Sequence, residues 1–118
     1  MKELFMAIAI IESSLNPSAV GDLGEVGIVQ IQECVIEDVN YFYKTNYVPE
    51  DRYCIIKSEE IFNLYLSYWT SIAKKKGFEI NNELRARIWN GGAYGYLKEG
   101  AAKENLDIYW EKVSQELE

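Results

Sequence analysis

Residues 8–32 read IAIIESSLNPSAVGDLGEVGIVQIQ, and the character of the chain changes twice within them. From Leu4 to Ile11 the run is apolar, which predicts a helix buried on most sides rather than one lying on a surface. Leu4, Ile8, Ile11 and Leu15 fall on one stripe, with Glu12 one turn after Ile8 at its edge. A carboxylate there is expected to be partly desolvated, which favours its protonated form. A carboxyl group held neutral near pH 7 can act as a general acid. Asn16-Pro17 then ends the helix, since proline disfavours helical geometry in the residue before it. Gly21, Gly24 and Gly27 follow at even spacing and carry Asp22 and Glu25 between them. They predict a loop or short irregular hairpin, in which glycine relieves strain and lets a polymer approach closely. The stretch closes on Gly27-Ile28-Val29-Gln30-Ile31.

The whole chain has 118 residues, about one ordinary domain with a single core. Nearly half its residues are apolar and it holds three Trp and nine Tyr, which argues against disorder. A net charge of −7 makes a nucleic-acid backbone an improbable partner. It also means that any anionic polymer would have to be held by local contacts. Histidine is absent, which excludes Ser-His-Asp and Cys-His catalysis and the usual zinc ligand sets. No metal or other cofactor is expected. Cys34 and Cys54 are able to pair, which the sequence does not decide; they are read first as two buried free thiols in a protein that folds in a reducing compartment. The apolar run after Met1-Lys2 is short, meets Glu12 and lacks a small-x-small cleavage site, so a secretory signal is not expected. No stretch is long enough to span a membrane.

Outward from this stretch, the pattern is helical. The first helix is expected over Lys2 to Ser14. A second is expected from about Gln32 to Lys44, with Val35, Val39, Phe42 and Tyr43 inward. Asn46 to Arg52, with Pro49, reads as a turn. Ser58 is placed as the N-cap of a third helix ending near Lys76, with Glu59 and Glu60 in its first turn and Lys74, Lys75, Lys76 and Gly77 at its end. Asn81 or Asn82 caps a fourth carrying Leu84, Ala86, Ile88 and Trp89, stopped by Asn90-Gly91-Gly92. The last is expected to begin near Asn105 or Leu106. With no linker, repeat or low-complexity tract, the chain reads as one mainly α domain.

The segment ESSLNPSAVGDLGEVGIVQIQ resembles the first half of the lysozyme-like lytic transglycosylase superfamily, in particular its short single-domain phage and bacterial members. YVPEDRY, ARIWNGG and IYWEKV resemble later motifs of the same group in the same order, so the likeness covers almost the whole chain. It implies a lysozyme-like domain, with the glycine loop lining a cleft, that cleaves the β-1,4 bond between N-acetylmuramic acid and N-acetylglucosamine in peptidoglycan. Under it Glu12 is the catalytic acid, and Ser13 matches a serine that hydrogen-bonds near that carboxyl. Gln30 matches a glutamine facing the sugar groove, and Asn90 an asparagine directed at the scissile region. The expected partner is a glycan strand, met by a monomer; the lack of a signal points to delivery by a phage, through a holin or from its particle, or to a larger machine.

Each of these residues also has a plainer role. Ser13 is as well suited to ending a helix. Gln30 between apolar neighbours is a buried amide in need of partners, and Asn90 before two glycines can simply close a helix. Tyr94 and Tyr96 are assigned to sugar faces, whose apolar CH surfaces suit aromatic planes, while Trp89 and Trp110 are left to packing. A hydrolase needs a second carboxylate at a set distance. Asp22, in a loop able to reach the cleft, is the candidate, with Glu25 expected to point to solvent. Arg52 and Arg87 match family positions without an evident chemical role; Arg52 is open to pairing with Glu50 or Asp51 or to holding the loop structurally. A non-catalytic wall-binding or virion module, and an enzyme for chitin or chitosan, remain the other classes.

Overall fold

The apolar run forms helix α1, Lys2–Ser13, in the computed structural model, which describes all 118 residues. Leu4, Phe5, Ala7, Ile8 and Ala9 are each at most 2% exposed, so five of six consecutive positions lie inside. Such a helix has almost no solvent face, as the unbroken run predicts. After it come α2 (Glu33–Tyr43), a 3₁₀ turn (Pro49–Tyr53), α3 (Ile55–Lys75), α4 (Asn82–Gly91), a second short 3₁₀ turn (Gly95–Leu97) and α5 (Gly100–Glu116). There is no strand; Val20, Val26 and Ile31 make only isolated bridges in the glycine loop. The fold is mainly α-helical, as expected.

The chain divides within α3 into two compact units, Met1–Tyr65 and Leu66–Glu118. In the first, α1 packs on the opening turns of α3 through an edge-to-face contact of Phe5 and Phe62, ring centres 5.3 Å apart. Val26, Ile28, Val29, Ile31, Ile36, Val39 and Ile61 complete that core. In α2 the fully inward residues are Ile36 and Val39, while Val35, Phe42 and Tyr43 are half-buried. In the second unit Leu84, Ala86 and Ile88 of α4 and Leu106, Tyr109 and Val113 of α5 are buried. Arg87 ties these helices together, reaching Glu83 at 3.0 Å and Asp107 at 2.8 Å. Its place in ARIWNGG is thereby accounted for structurally.

Three helix boundaries differ from the sequence expectation. Ser58 is not an N-cap: α3 starts three residues earlier, at Ile55, and Ser58 is fully buried in its first turns with Oγ donating to the Arg52 carbonyl at 3.0 Å. The serine-glutamate pattern is that of a cap, but burial gives the hydroxyl a tertiary partner instead. Helix α5 starts at Gly100 rather than near Asn105. Its first residues are exposed, so no apolar period marks them; alanine propensity and the Lys103–Asp107 pair at 2.9 Å carry that turn. Helix α1 ends at Ser13, and Ser14 is already left-handed, two residues before Asn16. Asn81 does cap α4, its Oδ1 accepting from the Leu84 amide at 2.9 Å. Both cysteines are free as expected but exposed, not buried, because they sit on the outer side of α2's first turn and at the entry to α3.

Two tyrosines of the first unit have raised pKa values of about 12. For Tyr47 burial is the main cause, followed by the hydrogen bond from its hydroxyl to Glu60 at 2.7 Å. For Tyr65 burial leads, with the charge of Asp38 adding to it. An unfolded chain releases these protons near pH 10, whereas the folded chain holds them to about 12. Stability is therefore intact below pH 10 and declines as pH climbs from 10 towards 12. Tyrosinate absorbance should show a late fraction that shrinks in Tyr47→Phe and persists through Tyr65; a single transition near pH 10 would contradict the burial argument.

Candidate active site

Glu12 lies in the last turn of α1 and is half-buried, so the buried helix delivers a carboxylate to its own edge. Ser13 closes the helix. Its Oγ donates to the Ile28 carbonyl at 2.7 Å, with the Ala9 carbonyl further off at 3.2 Å, and accepts from the Asn16 amide at 3.0 Å. One hydroxyl thus ends the helix and fastens the residue next to Glu12 onto the glycine loop. Beyond it Ser14 and Leu15 are both left-handed, with φ of 55° and 65°. Their amides close on the Ile10 and Ala9 carbonyls at 3.0 and 3.2 Å. Left-handed backbone costs about 1–2 kcal/mol per non-glycine residue, and such strain persists only where surrounding structure enforces it. Here the chain turns away sharply, immediately after Glu12.

The loop that receives Ser13 is closed by its own backbone. Gly21 donates to the Glu25 carbonyl at 2.7 Å, Gly27 to Ala19 at 2.8 Å, and Val26 and Ile31 exchange bonds at 3.0 and 2.9 Å. Gln30 adopts φ 56°, and its Nε2 donates to the Ala19 and Gly27 carbonyls at 3.2 and 3.0 Å. Its Oε1 takes no hydrogen bond from the protein. The amide is therefore anchored by its donor end and keeps an acceptor to offer.

The two loop carboxylates are disposed the other way from the expectation for Glu25. That residue is half-buried and folds back over Gly21, where a side chain would collide with its carboxylate; its Oε1 also faces the Leu23 amide at 3.4 Å. Glycine at 21 makes the space that draws Glu25 inward. Asp22 is the exposed one, with no hydrogen bond or ion pair from the protein.

In the second unit Asn90 is exposed in the last turn of α4. Tyr94 is 48% exposed. Its ring meets Trp69 edge-on at 5.7 Å, and Lys76 Nζ lies 5.8 Å from its centre. Tyr96 lines a pocket of about 390 Å³ with Phe78, Asn81, Arg87 and Lys98. It packs edge-on to Phe78 at 4.8 Å, and its hydroxyl is buried without a protein partner. Burial raises the pKa of that hydroxyl, with Tyr94 adding to it, so it is a neutral donor. Trp89 and Trp110 are half-buried, in keeping with packing roles.

Glu12, Ser13, Asp22 and Gln30 thus all belong to the first unit, and Asn90, Tyr94 and Tyr96 to the second. In the first unit Ser13 and Gln30 attach to the same loop, Ser13 through Ile28 and Gln30 through Ala19 and Gly27. A half-buried carboxyl beside this braced wall suits proton transfer to a bound acceptor. The residue whose role sequence reasoning left open is Arg52, buried beneath the loop with the YVPEDRY motif as its only signal. No helix is long and apolar enough to cross a membrane. Comparison with curated proteins and with solved structures returned no match. A family model, the transglycosylase SLT domain, matches residues 1–83, which takes in α1, the glycine loop and the turn bearing Arg52. With Glu12 at the helix end, the loop braced against Ser13 and this match over most of its length, the chain belongs to the transglycosylase SLT family, whose members act on peptidoglycan.

Proposed function

We propose that the protein cleaves the β-1,4 bond between N-acetylmuramic acid and N-acetylglucosamine, with Glu12 as the single acid and base. The observation that carries this reading is the half-buried position of Glu12 at the end of a buried helix, next to a serine pinned to the loop. Glu12 gives its proton to the leaving glycosidic oxygen as the bond to the anomeric carbon breaks. It then takes the proton of the muramyl 6-hydroxyl, whose oxygen bonds that carbon and closes a 1,6-anhydro ring. No water is consumed. The exposure of Asp22, without a protein partner to fix it, favours this route over one in which Asp22 is the second fixed carboxylate. Gln30 Oε1 is assigned to a sugar hydroxyl or amide and Asn90 to the glycan by their match to the family pattern, and Tyr94 or Tyr96 to a sugar face because an aromatic plane suits its apolar CH surface.

Mass spectrometry of muropeptides released from purified sacculi tests the proposal. Anhydro products, each lighter by one water, are expected with wild type and with Asp22→Asn at similar rates, in chelator or reductant as well as in plain buffer. Hydrated products together with a large loss in Asp22→Asn would establish a hydrolase with Asp22 as second carboxylate. Release from chitosan but not from sacculi would move the enzyme to another glycan.

A further inference from the structure

We infer that Arg52 is a positioning residue for the cleavage step, acting through the glycine loop rather than on the substrate. It is only 6% exposed, and its guanidinium is used almost wholly on backbone carbonyls. Nη1 donates to Gly24 at 3.2 Å and to Ile31 at 2.9 Å, the two ends of the segment that holds Ile28 and Gln30. Nε donates to Pro49 at 2.8 Å, which fixes the arginine in its own turn. The one carboxylate near it, Glu33, stands 3.8 Å from Nη2 and is 66% exposed, so the cation is held by dipoles more than by an ion pair.

The main chain of Arg52 presses on the same segment from below. Its carbonyl accepts from buried Ser58, and a side chain at Gly27 would fall on that carbonyl oxygen. The loop is therefore gripped at Gly24, Gly27 and Ile31 by one residue. Between those grips lie the Ile28 carbonyl, which anchors Ser13 beside Glu12, and Gln30 in its left-handed conformation. A lysine offers one compact ammonium and cannot reach two carbonyls in fixed directions as the planar guanidinium does. Displacement of the wall by a fraction of an ångström is enough to slow a reaction that depends on alignment.

This inference rests on the proposed role of Glu12, and wild-type release of anhydro-muropeptides is its control. An inactive wild type refutes that role; an active one leaves Arg52 to be judged alone. Arg52→Lys, verified as folded by circular dichroism at the assay temperature, is expected to lower kcat roughly ten- to a hundredfold with little change in KM. Loss of Ser13 should matter less once the loop is loose, so Arg52→Lys and Ser13→Ala should be clearly non-additive in a double-mutant cycle. A merely structural arginine would lower the melting temperature and leave kcat per folded molecule unchanged. Ser58→Ala, which frees the Arg52 carbonyl but keeps the guanidinium, is the second variant and should lower kcat in the same sense. It decides the matter if Arg52→Lys does not fold. A folded variant of either kind with wild-type kcat, or strict additivity with Ser13→Ala, overturns the proposal.

Discussion

Glu12→Gln is expected to give a folded protein that still binds glycan strands and releases no detectable muropeptide. The substitution keeps the shape of the side chain and some of its hydrogen bonding, but an amide cannot protonate a leaving oxygen. General acid catalysis contributes about two to four powers of ten, and in the proposed mechanism the same group is also the base. The fall should therefore lie at or beyond the upper end of that range. Stability should move the other way. Under the proposed role the half-buried Glu12, close to two left-handed residues, is held for chemistry, and removing such a functional group often leaves a protein as stable or more so. A melting temperature at or above wild type, pull-down by sacculi and absent cleavage form the expected set. A fall of less than about tenfold would mean that another group is the acid, and failure to fold would make Glu12 a structural carboxylate.

Gly27→Ala should produce the largest loss of stability from a single added methyl group. Gly27 has φ +94°, where any side chain strains the backbone, and the added Cβ would fall on the Arg52 carbonyl oxygen. Neither problem has a local remedy. Turning the peptide breaks the Gly27 amide bond to Ala19 and the bonds its carbonyl accepts from Gln30, and moving Arg52 unseats its guanidinium. Strain and clash together should remove about 3 kcal/mol or more, a fall of roughly 10 °C in melting temperature for a chain of this size. Gly24→Ala is the natural comparison: Gly24 also has positive φ, but nothing stands within 4 Å of an added Cβ. Equal losses in the two variants would show that backbone strain alone matters and that the Arg52 carbonyl yields freely.

Local pattern made α1, the loop and the cap of α4 legible, because each is written in residues close together. An unbroken apolar run needs no partner to be recognised as a buried helix, and Asn81 caps within its own turn. What stayed hidden depends on residues far apart in the chain. Gly27 reads as one more loop glycine until Arg52, well downstream, is found beneath it. Ser58 carries the signature of a cap, and only the Arg52 carbonyl explains why it lies inside the helix. On paper Asp22 is the loop carboxylate suited to the cleft and Glu25 the one for solvent; the missing side chain at Gly21 lets Glu25 turn inward instead. The first turn of α5 faces water on all sides, so no apolar period marks its start.

The two thiols have a consequence for handling the protein once reductant is gone. Cys34 and Cys54 are both exposed and unpaired, so each chain offers two outward linkage points. A molecule with one such point can be oxidised only to a covalent pair. One with two has the valence of a polymer unit, and oxidation of the exposed thiols by dissolved oxygen, two electrons for each new disulfide, can extend it end to end. Both points also lie in the first compact unit, which bears Glu12. Immobilising the enzyme through its native thiols would tether that part of the molecule to the support, whereas a cysteine introduced on α5 in a Cys34→Ser, Cys54→Ser background would leave it free.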